Sequence, residues 1–336
     1  MHVQALSIGI QVPPHHFSGT VHSVFRQACN IRIEPQRLLT LLPSEKGNVP
    51  HGIRLHTPSQ PAFLDLFRVG QPVACRGGIL RTDGSDFSVD LRTARLWHID
   101  LQALYVDLGR PIHAQSWAVA WSELKTYHRQ DGLPGTMEMP GHSEERSIAS
   151  ATSKILMQQV AHTLPALLRA TNNLRLQDAV IAMRPLIGLG PGLTPSGDDF
   201  LVGYLTGLWC RVGNVPSRKR FLTGLGSELS QAARTTNQIS CAYLRGAASG
   251  HVSEPIATLA QQLTQSNDMG SVRAATLAAL QIGHTSGSDG VLGLLWGCLV
   301  WQPLPCLFSD DLFRPSVYSD SVVNHEILVG ACKRYS

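Results

Sequence analysis

Two adjacent carboxylates, Asp198 and Asp199, follow Thr194 and Ser196 in the run LGPGLTPSGDDFLVGYL (189–205), and alternating glycines, Gly188, Gly190 and Gly192, lead into it. Few chemistries gather these types together. Hydroxyls and carboxylates at a helix start cap its backbone or move protons, and glycine-rich turns gather backbone N–H groups around an anion. The end of the run recurs at SGSDGVLGLL (286–295). Both copies fit Ser-Gly-x-Asp-x-x-x-Gly-x-Leu, as Ser196, Gly197, Asp199, Gly203 and Leu205, and as Ser286, Gly287, Asp289, Gly293 and Leu295, starting 90 residues apart.

A structural reading and a chemical one follow from the same residues. In the structural one, Ser196 with Asp199 and Ser286 with Asp289 are capping boxes, each cap contributing about 1 kcal/mol. Gly203 and Gly293, one turn further, then let another helix approach closely. In the chemical one, the two helix starts face one pocket, where their N–H groups and positive dipole ends hold a phosphate or carboxylate. Gly190, Gly192, Thr194, Gly197 and Asp198 bind substrate from the first copy, and Thr285 and Gly287 from the second. Asp199, Asp289, Ser196 and Ser286 are the candidate catalytic groups. Three carboxylates together also suit Mg²⁺, which prefers oxygen ligands, although no residue is assigned as a metal ligand. Between the copies, ARTTNQISCAYLRGAASGH carries Thr236 and Ser240 one turn apart. They orient a polar ligand that Arg234 neutralises, or they bond the preceding turn of their own helix. His284, next to the second copy, is a candidate general base.

The elements that position these groups divide the chain of 336 residues into two halves with different periods. From about Gly19 to Leu101, short runs (GTVHSVFRQACNIRI, HGIRLHT, PVACRGGILRT, DFSVDL) alternate with turn residues, and Asp83-Gly84 is a hairpin signal. From Ser143 the apolar spacing becomes helical, as in SKILMQQVAHTLPALLRA. The expected fold is α+β: a β-rich domain over 1–110, antiparallel barrel or sandwich-like, a connecting segment over 111–145, and an α-helical bundle over 146–302. The tail, 303–336, shows no period.

Composition narrows the function. Hydrophobic residues make up 43% and charged ones 15%, the balance of a packed globular protein. The net charge of +4 has no longer basic cluster than Arg218-Lys219-Arg220, so nucleic acid is not an expected partner. The longest apolar run, Val291 to Trp301, is too short for a bilayer, which needs roughly 20 residues. Seven scattered cysteines without a C-x-x-C pair, and an amino terminus without a signal-peptide pattern, point to reduced thiols in the cytoplasm. The phosphate-loop, nucleophile-elbow, zinc-protease and dinucleotide patterns are all missing.

At GLGPGLTPSGDDFLVGYL (188–205) the chain resembles a bacterial family long described as a domain of unknown function and associated with a subunit of oxamate carbamoyltransferase in anaerobic allantoin breakdown. TTNQISCAYLRGAASG (235–250) and GHTSGSDGVLGLL (283–295) support the likeness, and VFRQACNI and GNVPHGIRL fit it loosely. The resemblance implies a subunit acting beside other proteins on a small anionic substrate: carbamoyl phosphate, oxamate or oxalurate, with oxalurate the physiological donor. The Ser-Thr-Arg-Thr-Arg motif of ordinary carbamoyltransferases is absent, so the chemistry differs from theirs. A metabolite-binding scaffold subunit and a Mg²⁺-dependent hydrolase are the alternatives.

Overall fold

Alternating apolar and polar side chains over short runs build nine strands between residues 2 and 97 of the computed structural model. It describes residues 1–33, 37–57, 62–127, 151–283 and 285–302, with no side-chain description for 151–161. The strands are β1 (His2–Gly9), β2 (His16–Phe25), β3 (Ala28–Ile33), β4 (Arg37–Leu42), β5 (Gly52–Leu55), β6 (Pro72–Arg76), β7 (Ile79–Thr82), β8 (Ser88–Asp90) and β9 (Arg95–Trp97). Their hydrogen-bonded order is β5-β4-β3-β2-β6-β7-β8-β1, and β1 pairs back onto β5, so eight strands close into a barrel with β9 added beside β1. Of the two expected architectures, the barrel is the one built. Closure removes the exposed strand edges that an open sheet must protect.

Most pairings are antiparallel, but β1 runs parallel to β8 and β9, and β4 parallel to β5. Ile31, Leu41, Ile53, Leu55, Leu80 and Val89 fill the interior with no exposed surface. The β6–β7 hairpin turns on Gly77 and Gly78, both at positive φ (58° and 77°), the two-residue geometry whose twist matches the strands.

After a short helix α1 (Phe63–Leu66) within the barrel, the helical domain contains α2 (Pro111–Thr126), α3 (Ala151–Asn172), α4 (Leu176–Met183), α5 (Ser196–Val212), α6 (Pro216–Ala232), α7 (Gln238–Ala248), α8 (Glu254–Gln265), α9 (Met269–Leu280) and α10 (Ser286–Leu299). Helix α2 lies in the stretch expected to connect the domains. It buries Ala120 and Leu124 in the helical core, and Trp117 donates from Nε1 to the Leu295 carbonyl of α10 at 3.0 Å. Residues 128–150, His284 and the tail from 303 lie outside the described residues.

Helices α5 and α10, which carry the two copies of the motif, form the centre of this domain. A Cβ at Gly203 would overlap the Gly290 carbonyl, one at Gly293 the Phe200 carbonyl, one at Gly207 the Leu294 carbonyl, and one at Gly297 the Tyr204 carbonyl. Glycine spacing therefore brings backbone against backbone. Because the contacts advance together along both helices, the pair runs parallel and in the register of the repeat. Their amino termini lie side by side.

The domains meet where the β4–β5 turn touches α7 and α8. Glu254 accepts from the backbone N–H and side-chain amide of Asn48 at 2.7 and 2.8 Å, and its own N–H donates to the Asn48 carbonyl at 2.8 Å. Arg54 stands 3.7 Å from the same carboxylate.

Candidate site at the paired helix starts

Two parallel helices side by side set their positive ends together, which is unfavourable unless negative charge or acceptors lie there. Three acids do: Asp198, Asp199 and Asp289 occupy the first turns of α5 and α10. Their environments differ sharply.

Asp198 is buried and completely engaged. Its Oδ1 accepts from the backbone N–H of Gly188 at 2.8 Å, and its Oδ2 accepts from the hydroxyls of Thr236 and Ser240, both at 2.6 Å. Gly188, Gly190 and Gly192 all have positive φ (72°, 110° and 96°), a conformation that costs glycine little and other residues much. What the Gly188 N–H and the hydroxyls of Thr236 and Ser240 grip is thus the chain's own Asp198 side chain. Asn237 caps α7 by accepting from the N–H groups of Ile239 and Ser240, which fixes the helix start that presents the Ser240 hydroxyl, with Thr236 just ahead of the cap.

Asp199 is partly exposed as a residue, but its Oδ2 is enclosed and has no hydrogen-bond partner among the described residues. Burial pushes its carboxyl up to about 8, and the neighbouring charges of Asp289 and Asp198 push the same way, against hydroxyls of Ser286 and Thr194 that favour the ionised form. Those two hydroxyls lie 2.7 Å apart and join the two copies directly. Asp289, on the second helix, is fully buried. A carboxyl that titrates near neutrality, beside two hydroxyls, is suited to holding or exchanging a proton with a small ligand.

The chain matches the AllH family N-terminal domain over residues 4–96, the barrel, and the oxamate carbamoyltransferase subunit AllH over residues 186–298, which span α5 to α10 and both motif copies. The chain belongs to the AllH family. No solved structure matches it.

For this AllH-family chain the structure revises several sequence-based assignments. The capping boxes do not form: Ser196 and Ser286 are the first helical residues, Pro195 and Thr285 are the N-caps, and neither cap makes a side-chain bond. Proline before Ser196 has already set the entry, so the serine hydroxyl sits one position too late. The N–H groups of Gly197 and Gly287 donate to Leu189 and Ile282 carbonyls at 2.8 and 3.0 Å, and a Cβ at either would strike a backbone oxygen. These two glycines are packing positions. Thr236, Ser240 and Asp198 serve one another, so they are not open to a ligand. Nor do the acids converge as Mg²⁺ would require, because Asp198 turns away to α7, and no group of three or more potential ligands forms a metal site among the described residues. The structure leaves Thr194, Ser286, Asp199 and Asp289 together, with Ser196 buried against Gly190, Gly192 in open space and Thr285 at the start of α10.

Two neighbouring residues escaped the sequence reading. Tyr243 lies one turn beyond Ser240 on α7, and its hydroxyl is pushed up to about 12 by burial and by the charge of Asp199. His51, in the β4–β5 turn, packs edge-on against Tyr243 with ring centroids 4.8 Å apart. The i, i+3 spacing of Ser240 and Tyr243 was a usable signal for the first. Nothing local marks His51, whose neighbour comes from the other domain.

Among the described residues no helix is long and apolar enough to cross a membrane, and the five described cysteines are buried and unbridged.

Proposed function

We propose that this chain works with other subunits as part of an oxamate carbamoyltransferase, and that a small anionic substrate binds where the starts of α5 and α10 meet. The observation that carries this reading is Asp199: an enclosed carboxyl oxygen with no hydrogen-bond partner among the described residues, on a carboxyl pushed up to about 8 at two adjoining positive helix ends. A carboxyl with a value of about 8 keeps its proton through most of the neutral range. In phosphorolysis of oxalurate a phosphate oxygen attacks the carbamoyl carbon, the bond from that carbon to the oxamate nitrogen breaks, and the nitrogen takes up a proton. Asp199 supplies that proton, and takes it back in the reverse direction. Thr194 and Ser286 donate to the substrate's oxygens, while the helix ends offset its negative charge. Transfer of this kind serves the breakdown of allantoin.

The test is thermal unfolding of the full chain, alone and with its partner subunits, against carbamoyl phosphate, phosphate, oxamate and oxalurate. A ligand at about 100 times its Kd adds roughly 2.7 kcal/mol, which moves the midpoint by a few degrees. We expect such a rise with oxamate or oxalurate, absent in Asp199→Asn. An equal rise in the variant would remove Asp199 from the site.

One observation favours a second reading. Asp198, Thr236 and Ser240 are engaged with one another, so much of the motif builds the helix pair, as it would in a scaffold subunit whose partner does the chemistry. Turnover by the isolated chain would exclude that reading.

A further inference from the structure

We infer that the barrel supplies a second wall to this site: His51, standing against Tyr243, hydrogen-bonds the amide or carbamoyl end of the substrate whose proton Asp199 handles. The inference rests on the function proposed above and adds a specificity residue to it.

His51 is 2% exposed, and neither ring nitrogen has a hydrogen-bond partner among the described residues. Buried polar groups are nearly always satisfied, so such a ring needs an explanation. Misplacement of the backbone does not provide one. The His51 carbonyl accepts from Thr40, Gly52 donates to Val49 within the turn, and Asn48 is tied to Glu254 of α8. The turn is held on both sides while the imidazole it presents finds no partner among the described residues.

A second buried histidine in the chain supplies the contrast. His113, 4% exposed, accepts at Nδ1 from the Asp107 N–H at 2.9 Å and also bonds the backbone of Thr264. That is a structural histidine with both nitrogens engaged. His51 has the same burial with neither engaged.

Position and chemistry agree on what would engage it. His51 meets the Tyr243 ring edge-on, and Tyr243 lies one turn from Ser240, which bonds Asp198, and within reach of the charge of Asp199. His51 thus packs, across the domain junction, on the tyrosine whose hydroxyl feels the charge of Asp199. Burial pushes the imidazole down to about 4, so it is neutral and offers one N–H donor and one lone pair. A primary amide or carbamoyl group offers the complementary pair, an acceptor oxygen and N–H donors. Fully ionised phosphate and carboxylate groups only accept. Such a wall selects oxamate over oxalate, which has the same size but no amide.

The experiment labels the histidines of the full chain with ¹⁵N, assigns His51 by the signal missing from His51→Gln, and titrates in oxamate, oxalate or phosphate with the partner subunits present. We expect oxamate to move both His51 ring nitrogens. His51→Phe should weaken oxamate by about tenfold, the scale of one buried hydrogen bond, while oxalate and phosphate change little. His51→Gln, which keeps a donor and an acceptor, should retain more of the oxamate affinity, and it covers the case in which the Phe variant does not fold. Asp199-dependent oxamate binding with a silent His51 and no change of preference in either variant would overturn this inference and leave the proposed function standing. Failure of the wild-type assembly to bind oxamate at all would overturn both.

Discussion

The two ends of the α5–α10 pair face the same electrostatic problem and meet it differently. At the carboxy-terminal end the parallel dipoles leave carbonyls and partial negative charge, and Arg211, 2% exposed, answers them. Its Nε donates to the Val300 carbonyl at 3.1 Å, one terminal nitrogen to Trp301 at 3.0 Å and the other to Val106, while Arg218 adds a bond to Trp301 and lies over its ring. Every guanidinium nitrogen is used. At the amino-terminal end Asp198 is closed in the same manner, yet Asp199 beside it keeps an enclosed oxygen unmatched and a carboxyl displaced toward neutrality. Stability alone would be served by closing both ends. The difference separates the part of the motif that builds the pair from the part to which the proposed function assigns a ligand.

The harshest way to break this comparison is to separate the helices. Gly203→Ala drives a methyl into the Gly290 carbonyl, backbone against backbone, where no side chain can give way. We expect a loss of about 4 kcal/mol or more, or no folded protein, in urea unfolding, and both ends should fail together. Next comes Arg211→Met. It takes the guanidinium donor from the Val106 and Val300 carbonyls and leaves that of Trp301 to Arg218, a cost of about 3–5 kcal/mol by the same measurement. The folded fraction should still bind oxamate, because the open end is untouched. Asp198→Asn is milder. Its amide cannot accept from all three present donors, and we expect about 1–3 kcal/mol of destabilisation with weakened protection of the Gly188 amide in hydrogen exchange.

How much of this could be read beforehand depends on whether the signal is local. Gly203 and Gly293 announced a close helix approach, because glycine one turn into an apolar helix has few other uses. Strands β2, β3 and β5 to β8 followed from alternation and turn residues. Strand β1 was missed because the amino terminus was weighed only as a leader, and β4 because RLLTLL is a continuous apolar run without alternation. Helix α2 went unread because its prolines and tryptophans hide the period and its core partners lie elsewhere in the chain. At the site, the acids, Thr194 and Ser286 were legible from residue type and repeat. Their division of labour was not, since it depends on which way Asp198 turns. His51 was out of reach because its meaning comes from Tyr243, a residue of the other domain.

Asp199→Asn has the smallest effect on stability and sharpens the comparison most. A carboxyl at about 8 in the folded chain and 3.8 in its ordinary state binds its proton more tightly when folded. Between about pH 4 and pH 8 the unfolded chain therefore carries fewer protons, and stability falls as pH rises, by at most about 1.4 kcal/mol per unit. Asparagine keeps the shape and never ionises, so the variant lacks this slope. Near pH 3.5, where the carboxyl is largely protonated in the fold and in the unfolded chain, the two proteins should unfold at similar temperatures. By pH 8 the variant should be the more stable by on the order of 1–3 kcal/mol, while its response to oxamate is lost. Arg211→Met should show no such pH-dependent gain, being destabilised alike at both values. If the difference between wild type and Asp199→Asn were flat from pH 5 to pH 8, the open end would be electrostatically ordinary and the contrast between the two ends would fail. If the slope appears and the ligand response disappears with it, one carboxyl accounts for both the cost and the use of leaving that end unclosed.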